Sequence, residues 1–427
     1  MSLSIALVGA GSAVFTRNLL VDLLLSDLED LDLRLVDPDQ ERLRRVQAMA
    51  EALAERFPAK GLRVRSLPLD EALRGSQVAV LTADVGGDEA LARDYQVALR
   101  HGVDQTIGDT LGPGGLMKFL RNAPLVDEVA ERFAGRIVLN YMNPLSPLTA
   151  LLWARGVEAL GLCHSIPETA KTLARYLEVP LEALSYRAAG VNHLSWFVEL
   201  KQGPEDLYPR LRTLAEGPLW REDPVRFELL RYFGLFPSES SAHASEYVPY
   251  FRKGLEAVRR YFAPGMPGDS GYYAKTHPEF VRQSAVLLEK EALEAPLERS
   301  GEYAVPLLEG LFLDKEASLY ATLPNRGELP ELLPGAVELP VEVRKGSLLP
   351  LPTRLPSGPA ALSRRVQEVH ALYVQGYVHR DPTLLLQALA LDPLTGALLE
   401  LREVERLFRD LVQSQTAPLP DFLGKGA

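Results

Sequence analysis

The sequence has a single cysteine, no long apolar run and no excess of basic residues. Cys163 is the only cysteine among 427 residues, so no disulfide can form within one chain. No apolar run approaches the roughly 20 residues that a membrane-spanning helix needs. Lysine and arginine total 46 against 57 aspartate and glutamate residues, which gives a formal net charge of −11. This balance argues against a nucleic-acid or anionic-membrane surface, since either would require a basic face.

The N-terminal residues also lack the basic segment and cleavage site of a secretory signal. Together with the single cysteine, this absence predicts a cytoplasmic protein. A length of 427 residues exceeds one ordinary hydrophobic core, so we expect two domains. We predict an N-terminal domain over residues 1–195 and a C-terminal domain over residues 196–427.

Short apolar runs alternate with helical periods in the first part of the chain. The pattern predicts helices at 14–26 and 39–57 and strands at 4–8, 32–36, 63–66, 78–82, 137–141 and 160–164. Such alternation indicates an α/β fold with a doubly wound, Rossmann-like parallel sheet. Later, residues 185–200 form strand material without a crossover helix, a further strand is predicted at 336–343, and the tail over 360–415 is mostly helical. These features predict an α+β C-terminal domain.

Gly9 and Gly11 directly follow the first predicted strand, and Ser12 precedes the first predicted helix. Glycine here lets the backbone turn tightly and approach a pyrophosphate, which the N-terminus of the helix stabilises. Asp37 ends the second predicted strand, where an acid binds the ribose hydroxyls of NAD and repels the extra phosphate of NADP. Val14 replaces the third glycine of the usual motif, and an ordinary tight turn is the alternative. The combination of strand, turn, helix and acid favours NAD binding.

Several later stretches are polar where a plain core would be apolar: 108–115, 140–144, 162–165, 190–193 and 239–247. Ligands of doubly wound sheets bind at the carboxyl ends of strands, which is where the first of these stretches are expected. Each stretch also has a structural interpretation. A lone cysteine such as Cys163 is more often a small buried hydrophobe, and a lone histidine such as His193 is usually only hydrogen-bonded. Two protein ligands are also fewer than zinc sites usually have.

Taken together and in this order, these stretches resemble glycoside hydrolase family 4. The motifs are Gly-Ala-Gly-Ser at 9–12, Asp-Thr-Leu-Gly-Pro-Gly-Gly at 109–115, Asn-Tyr-Met-Asn-Pro at 140–144, Gly-Leu-Cys-His-Ser at 161–165, Gly-Val-Asn-His at 190–193 and Asp-Pro-Leu-Thr at 392–395. Residues 105–115 and the Glu-Ser-Ser-x-His-x-x-Glu-Tyr stretch at 239–247 are most similar to the melibiase-type α-galactosidases. The resemblance implies a C-terminal domain like those of lactate and malate dehydrogenases.

The resemblance implies a glycosidase that uses NAD and a divalent metal, usually Mn²⁺. The cofactor would take a hydride from C3 of the sugar, which acidifies the C2 proton. Loss of that proton, departure of the group on C1, addition of water and return of the hydride would complete the reaction. Cys163 and His193 would be the metal ligands, and Asn143 and Asn192 would orient sugar hydroxyls. Thiolate is a soft ligand and Mn²⁺ a hard ion, so weak and exchangeable metal binding is expected.

For the proton transfers, the resemblance implies Tyr247 as the base at C2. His164 would be the acid for the leaving oxygen, because imidazole can donate a proton near neutral pH. Glu239, His243 and Glu246 share a stretch with Tyr247 and remain alternatives for the base.

Two positions favour an unphosphorylated sugar. Leu91 and His164 stand where members that act on 6-phosphosugars carry arginine and aspartate. Ala242 occupies a position that is acidic in the melibiase type, so α-glucosides and α-hexuronides remain alternatives to α-galactosides.

A dehydrogenase of the lactate/malate type and an NAD-sensing regulatory protein are the alternative classes of protein. We expect a homo-oligomer, either a dimer or a tetramer, with a small-molecule sugar as substrate and no nucleic-acid or membrane partner.

Overall fold

In the computed structural model, which describes residues 3–288 and 294–426, one sheet joins all the strands. The strands are β1 (Leu3–Val8), β2 (Leu31–Val36), β3 (Arg63–Ser66), β4 (Val78–Leu81), β5 (Ile137–Asn140), β6 (Glu158–Gly161), β7 (Leu184–Val191), β8 (Leu194–Gln202), β9 (Glu205–Asp206), β10 (Phe236–Pro237), β11 (Ala317–Pro324), β12 (Ala336–Arg344) and β13 (Ser347–Pro350). Six of them pair in parallel in the order β3-β2-β1-β4-β5-β6. This order is that of a dinucleotide-binding sheet and confirms the predicted doubly wound, Rossmann-like fold.

Helices connect and cover these strands. In the described residues they are α1 (Ala13–Leu24), α2 (Gln40–Glu55), α3 (Leu69–Arg74), α4 (Gly87–Arg100), α5 (Gly112–Arg132), α6 (Leu145–Ala154), α7 (Ser165–Tyr176), α8 (Tyr208–Ala215), α9 (Pro224–Phe233), α10 (Ser241–Ala244), α11 (Leu255–Tyr261), α12 (Tyr272–Ser284), α13 (Ala304–Leu313), α14 (Ser357–Val378), α15 (Pro382–Leu391), α16 (Thr395–Leu398) and α17 (Leu401–Ser414). Helix α2 begins one residue later than predicted because the Asp39 side chain caps it, accepting from the backbone of Glu41 and Arg42.

The second half of the chain extends the sheet with antiparallel strands. Thr322 of β11 pairs with Gly161 of β6, and β11 then pairs with β12 along its length. Glu338 of β12 pairs with Gly190 of β7, which forms a hairpin with β8. Antiparallel strands followed by helices give the predicted α+β part. Residue 195 lies at the start of β8 in this hairpin, and the division into domains there stays a prediction.

The strand predicted at 160–164 forms earlier, at Glu158–Gly161. Gly161 is enclosed by its neighbours, since an added Cβ would lie 2.8 Å from Thr149 Oγ1 and 2.9 Å from Thr322 Cβ. The chain then leaves the sheet and enters α7 at Ser165. Cys163 and His164 therefore lie in the loop that follows the carboxyl end of β6.

None of the helices in the described part of the chain is both long and apolar enough to cross a membrane.

Candidate active site

A cleft of about 1410 Å³ opens at the carboxyl ends of β1, β2 and β4. Gly9 has a φ of +93°, and a Cβ there would lie 2.4 Å from the backbone nitrogen of Ala83. Only glycine therefore fits this turn. Ser12 is exposed at the N-cap of α1, and its hydroxyl makes no capping hydrogen bond. A glycine turn that leads into a helix N-terminus is the arrangement that a diphosphate requires, so the cleft fits a dinucleotide.

Asp37 borders the same turn at the end of β2. Its Oδ2 accepts from the backbone nitrogen of Gly11 at 2.8 Å, and its Oδ1 accepts from that of Asp39 at 2.9 Å. The carboxylate is thus held where the ribose of a dinucleotide lies in this fold. Arg42 lines the cleft as well, with its Nε 3.2 Å from Asp39 Oδ2. Both an anion and a cation therefore border the expected ribose position.

Helix α12, from the second half of the chain, also lines the cleft. Tyr273, His277 and Phe280 all border it. The rings of Tyr273 and His277 stack with centroids 4.5 Å apart, and His277 Nδ1 pairs with Asp88 in the first turn of α4. The sequence did not predict this contribution.

A cluster of buried and half-buried polar side chains lies beside the cleft. Its members are Asp109, Thr110, Cys163, His193, Glu239, His243 and Tyr247. Lys118 of α5 links the two, since its Nζ lies 2.9 Å from Asp84 of the cleft and its charge helps to lower the pKa of Asp109 in the cluster. Lys118 thus lies between the cleft and the cluster.

His243 lies between two carboxylates in this cluster. Its Nε2 is 2.8 Å from Asp109 Oδ1, and its Nδ1 is 3.0 Å from Glu239 Oε2. Burial acts to lower the pKa of His243, but the two carboxylates outweigh it and raise this pKa well above its usual value. Burial acts to raise the pKa of both carboxyls, but His243 outweighs it, which holds Asp109 well below its usual pKa and Glu239 at a pKa of about 2. At neutral pH the three groups form one cation between two anions.

Thr110 orients the buried ring of His193. Its hydroxyl donates to Asp109 Oδ1 at 2.8 Å and therefore accepts from His193 Nδ1, also at 2.8 Å. The other ring nitrogen, Nε2, lies 3.8 Å from Glu239 Oε1. Burial lowers the pKa of His193, and the neighbouring His243 adds to this effect, although the carboxylate of Glu239 acts in the opposite direction. The shift favours the neutral ring that metal binding requires.

Cys163 completes a group of metal-ligand residue types. One ligand atom each from Cys163, His193 and Glu239 lies within 4.8 Å of the others. Burial raises the pKa of the Cys163 thiol, and the nearby carboxylates of Glu239 and Glu338 add to this. A bound cation would act in the opposite sense, since it binds the thiolate. Sulfur, imidazole nitrogen and carboxylate oxygen together suit a divalent transition metal, so the residues present fit such an ion.

Glu246 holds the loop that carries part of the cluster. Its two carboxylate oxygens accept hydrogen bonds from the backbone nitrogens of Thr106, Ile107 and Gly108. These bonds fix the segment that leads into Asp109 and α5.

Tyr247 is the last member of the cluster. It is 1% exposed, and its hydroxyl lies 3.4 Å from His193 Nδ1. Burial raises its pKa well above the usual value, and the carboxylates of Asp109 and Glu239 act in the same direction. The His243 ring, which is cationic, lies with its centroid 5.3 Å from that of Tyr247.

The remaining predicted residues lie around the cluster. The half-buried Asn143 donates from Nδ2 to Asp109 Oδ2 at 2.9 Å. Asn192 is fully buried and donates to Glu338 Oε1 at 3.1 Å, while its Oδ1 has no hydrogen-bond partner among the described residues. The His164 side chain is 64% exposed, with Nδ1 3.6 Å from Glu302 Oε1. The proposed roles of these residues toward a sugar stay predictions.

Sequence reasoning missed Glu338, Thr110 and Lys118. Glu338 is buried in β12, and burial raises its pKa to about 7 although Ser195 and Asn192 donate hydrogen bonds to it. Its signal was present in the sequence, because an acid in the predicted apolar strand at 336–343 needs a buried partner. Thr110 lies in the polar stretch at 108–115, but its contact with His193 could not be predicted because the two residues are distant in sequence. Lys118 had no signal in the sequence.

The fold and the site define a dinucleotide-binding enzyme with a metal-type cluster at the end of its cofactor cleft. Residues 4–179 match the family model described as family 4 glycosyl hydrolase, and residues 188–395 match the model of its C-terminal domain. An α-galactosidase of Bacillus subtilis (strain 168) is 30% identical over 98% of this chain and 99% of its own. An α-galactosidase of Rhizobium meliloti (strain 1021) is 29% identical over 99% of this chain and 90% of its own. The chain belongs to glycosyl hydrolase family 4, a family of NAD-dependent glycosidases.

Solved structures agree on the fold. A 6-phospho-β-glucosidase of Thermotoga maritima, solved with manganese, NAD⁺ and glucose-6-phosphate, matches with a TM-score of 0.79 at 20% identity over 98% of this chain and 100% of its own. A malate dehydrogenase of Plasmodium falciparum matches with a TM-score of 0.50 at 11% identity over 89% of this chain and 99% of its own. The predicted likeness to the malate dehydrogenase fold is thereby confirmed.

Proposed function

We propose that this protein hydrolyses unphosphorylated α-galactosides, with NAD⁺ and a divalent metal, Mn²⁺ foremost, as cofactors. The observation that carries the proposal is the position of the Cys163, His193 and Glu239 group beside a cleft with dinucleotide-binding geometry. Sequence identity of 29% and 30% to two α-galactosidases, along nearly the whole chain, supports a galactoside as the substrate.

The residues that would hold the cofactors follow from this arrangement. Gly9, Gly11 and Ser12, with the N-terminus of α1, would bind the diphosphate, and Asp37 would bind the ribose. Cys163 and His193 would bind the metal. When bound, NAD⁺ exchanges a hydride with C3 of the sugar, and the divalent cation stabilises negative charge on the sugar oxygens.

Tyr247 is our candidate for the group that takes the C2 proton. Among the alternatives, Glu246 already accepts three backbone hydrogen bonds, and both ring nitrogens of His243 are occupied by carboxylates. One carboxylate oxygen of Glu239, Oε2, is hydrogen-bonded to His243. Tyr247 faces His193 in the cluster, and a cation bound there would lower the phenol pKa that burial raises.

Three more residues would act on the sugar. His164 is exposed in the loop after β6, where it can give a proton to the departing oxygen while solvent replaces it. Asn143 is fixed by Asp109 and would orient one hydroxyl. Asn192 would offer its Oδ1, which accepts no hydrogen bond from the described residues.

The absence of a phosphate on the sugar rests on Leu91 and His164. By the family resemblance, Leu91 stands where phosphosugar-specific members carry a cation. Its side chain is apolar and 6% exposed on α4.

We also infer that the protein is a cytoplasmic homo-oligomer. The single cysteine fits a reducing compartment, and exposed apolar side chains such as Tyr232 and Leu401, each 76% exposed, suit contacts between subunits.

A panel of nitrophenyl glycosides tests the proposal. The purified protein would be assayed on the α-galactoside, its 6-phosphate, the α-glucoside and the α-galacturonide, with and without NAD⁺, Mn²⁺ and a thiol reductant. We expect the α-galactoside to be cleaved fastest, and only when all three additions are present. Faster cleavage of the 6-phosphate or of another sugar would overturn the specificity, and NADH formed in proportion to product would indicate a dehydrogenase instead.

A further inference from the structure

His193 Nε2 and Glu239 Oε1 lie 3.8 Å apart in the cluster. The Thr110 hydroxyl donates its only proton to Asp109. In the hydrogen bond of 2.8 Å between Thr110 and His193, the donor is therefore His193 Nδ1. A histidine that binds a metal is neutral, so with the proton on Nδ1 the opposite nitrogen, Nε2, is the one that can bind an ion. It points at Glu239 Oε1, 3.8 Å away, which is too far for a hydrogen bond.

The Glu239 carboxylate is held so that one oxygen stays available. Its Oε2 accepts from His243 Nδ1 at 3.0 Å and from the backbone nitrogen of Ser240 at 3.3 Å. Its Oε1 accepts no hydrogen bond from the described residues, although the side chain is only 13% exposed. Glu239 Oε1 and His193 Nε2 thus border one gap of 3.8 Å that a cation can occupy.

Distance and ligand chemistry agree with this interpretation. Two atoms that each bind one ion at about 2.1 Å can be at most about 4.2 Å apart, and 3.8 Å lies within that limit. The thiolate of Cys163 is a soft ligand that suits Mn²⁺ poorly, whereas a carboxylate oxygen is the type that Mn²⁺ prefers. Three protein ligands also match the usual number in catalytic metal sites better than two.

The other group of potential ligands among the described residues, Asp109, His193 and His243, is less suited to an ion, because Asp109 Oδ1 and His243 Nε2 already form a hydrogen bond of 2.8 Å with each other.

We infer that Glu239 is a third protein ligand of the metal, through Oε1, and that His243 is the positioning residue that orients it. The inference rests on the proposed function, since it takes Cys163 and His193 as the other two ligands. It assigns Glu239 to the metal and leaves proton transfer at C2 to another group.

Titration calorimetry on the full-length protein tests the assignment with Mn²⁺ and Zn²⁺ as separate probes. Glu239→Gln would be compared with the wild type and with a matched control, Glu302→Gln, whose carboxylate faces the exposed His164 at 3.6 Å. We expect Glu239→Gln to weaken Mn²⁺ binding at least about tenfold and Zn²⁺ binding less, because Zn²⁺ keeps the sulfur and nitrogen ligands it prefers. The control should stay within about twofold of the wild type for both ions.

The outcomes separate the inference from the proposed function. Equal loss of Mn²⁺ and Zn²⁺ affinity in Glu239→Gln would indicate distortion of the site and would overturn the inference, as would unchanged affinity for both. If Cys163→Ser also binds Mn²⁺ like the wild type, the metal site of the proposed function fails too. Should Glu239→Gln not fold, Glu239→Asp keeps the charge beside His243, withdraws the oxygen from His193 and gives the same comparison.

Discussion

His243 Nε2 lies 2.8 Å from Asp109 Oδ1, a buried contact between residues 134 positions apart in the sequence. The opposite ring nitrogen meets Glu239, so one imidazolium separates two carboxylates. Without this cation, two buried anions would share the space beside His193. The charge state of the whole cluster therefore depends on His243.

We predict that His243→Gln lowers the free energy of unfolding of the metal-free protein by about 3–5 kcal/mol, the usual cost of removing one partner of a buried ion pair. Glutamine can still donate one hydrogen bond but carries no charge. Denaturant unfolding measures the loss. His379→Gln, at the exposed C-cap of α14, is the matched control. Equal stability of the two variants would rule out a buried ion pair at His243.

Glu338 predicts a pH dependence of stability. Burial raises its pKa from 4.5 to about 7. A carboxyl whose pKa is higher in the folded state than in the unfolded state holds its proton better when folded. The stability that this proton gives to the folded state is fully present below about pH 4.5 and is lost as the pH rises to about 7. Over this range the free energy of unfolding of the wild type should fall by up to about 3 kcal/mol relative to that of Glu338→Gln.

Unfolding of both proteins at about pH 5 and about pH 8 checks this prediction, because all other titrating groups cancel in the comparison. The difference in stability between variant and wild type should move in favour of Glu338→Gln at the higher pH. A difference that does not change with pH would mean that the Glu338 carboxyl has an ordinary pKa.

Asp37 should set the preference for NAD⁺ over NADP⁺. We predict that Asp37→Ser improves binding of NADP⁺ relative to NAD⁺ by at least about tenfold, since the repelling carboxylate is gone and Arg42 lines the same cleft. Titration calorimetry with both cofactors measures the ratio. Glu128→Gln is the control, because it removes a carboxylate that lines the same cleft but pairs with Arg132 and not with Arg42. Wild-type protein that binds both cofactors equally would contradict the role of Asp37.

The parallel half of the fold could be predicted from the sequence because its strands are covered on both faces. Val78–Leu81 is buried throughout and forms an apolar run, which is typical of a central parallel strand. The antiparallel half was harder. The strand Ala317–Pro324 was missed because it lies within a stretch of mixed polarity whose pairing partners, Gly161 and β12, are distant in the sequence.

The candidate site shows the same limit. The motifs singled out Cys163, His193 and Tyr247, and the structure places all three in one cluster. The contacts that orient them could not be predicted, because Thr110 meets His193 across 83 residues and Glu246 holds the loop at 106–108 across about 140. Residue type can indicate the chemistry of a site, whereas the hydrogen bonds that orient it depend on tertiary structure.

The central claim is that the glycosidic bond breaks after removal of the C2 proton, and not by direct displacement between two carboxylates. Hydrolysis of a nitrophenyl α-galactoside in D₂O, with NAD⁺ and Mn²⁺ present, tests it most directly. The released galactose would be returned to H₂O, so that only carbon-bound deuterium remains, and then analysed by mass spectrometry. We predict one deuterium at C2 of the product and no accumulation of NADH. Galactose without carbon-bound deuterium, formed at the same rate when NAD⁺ is omitted, would contradict the claim.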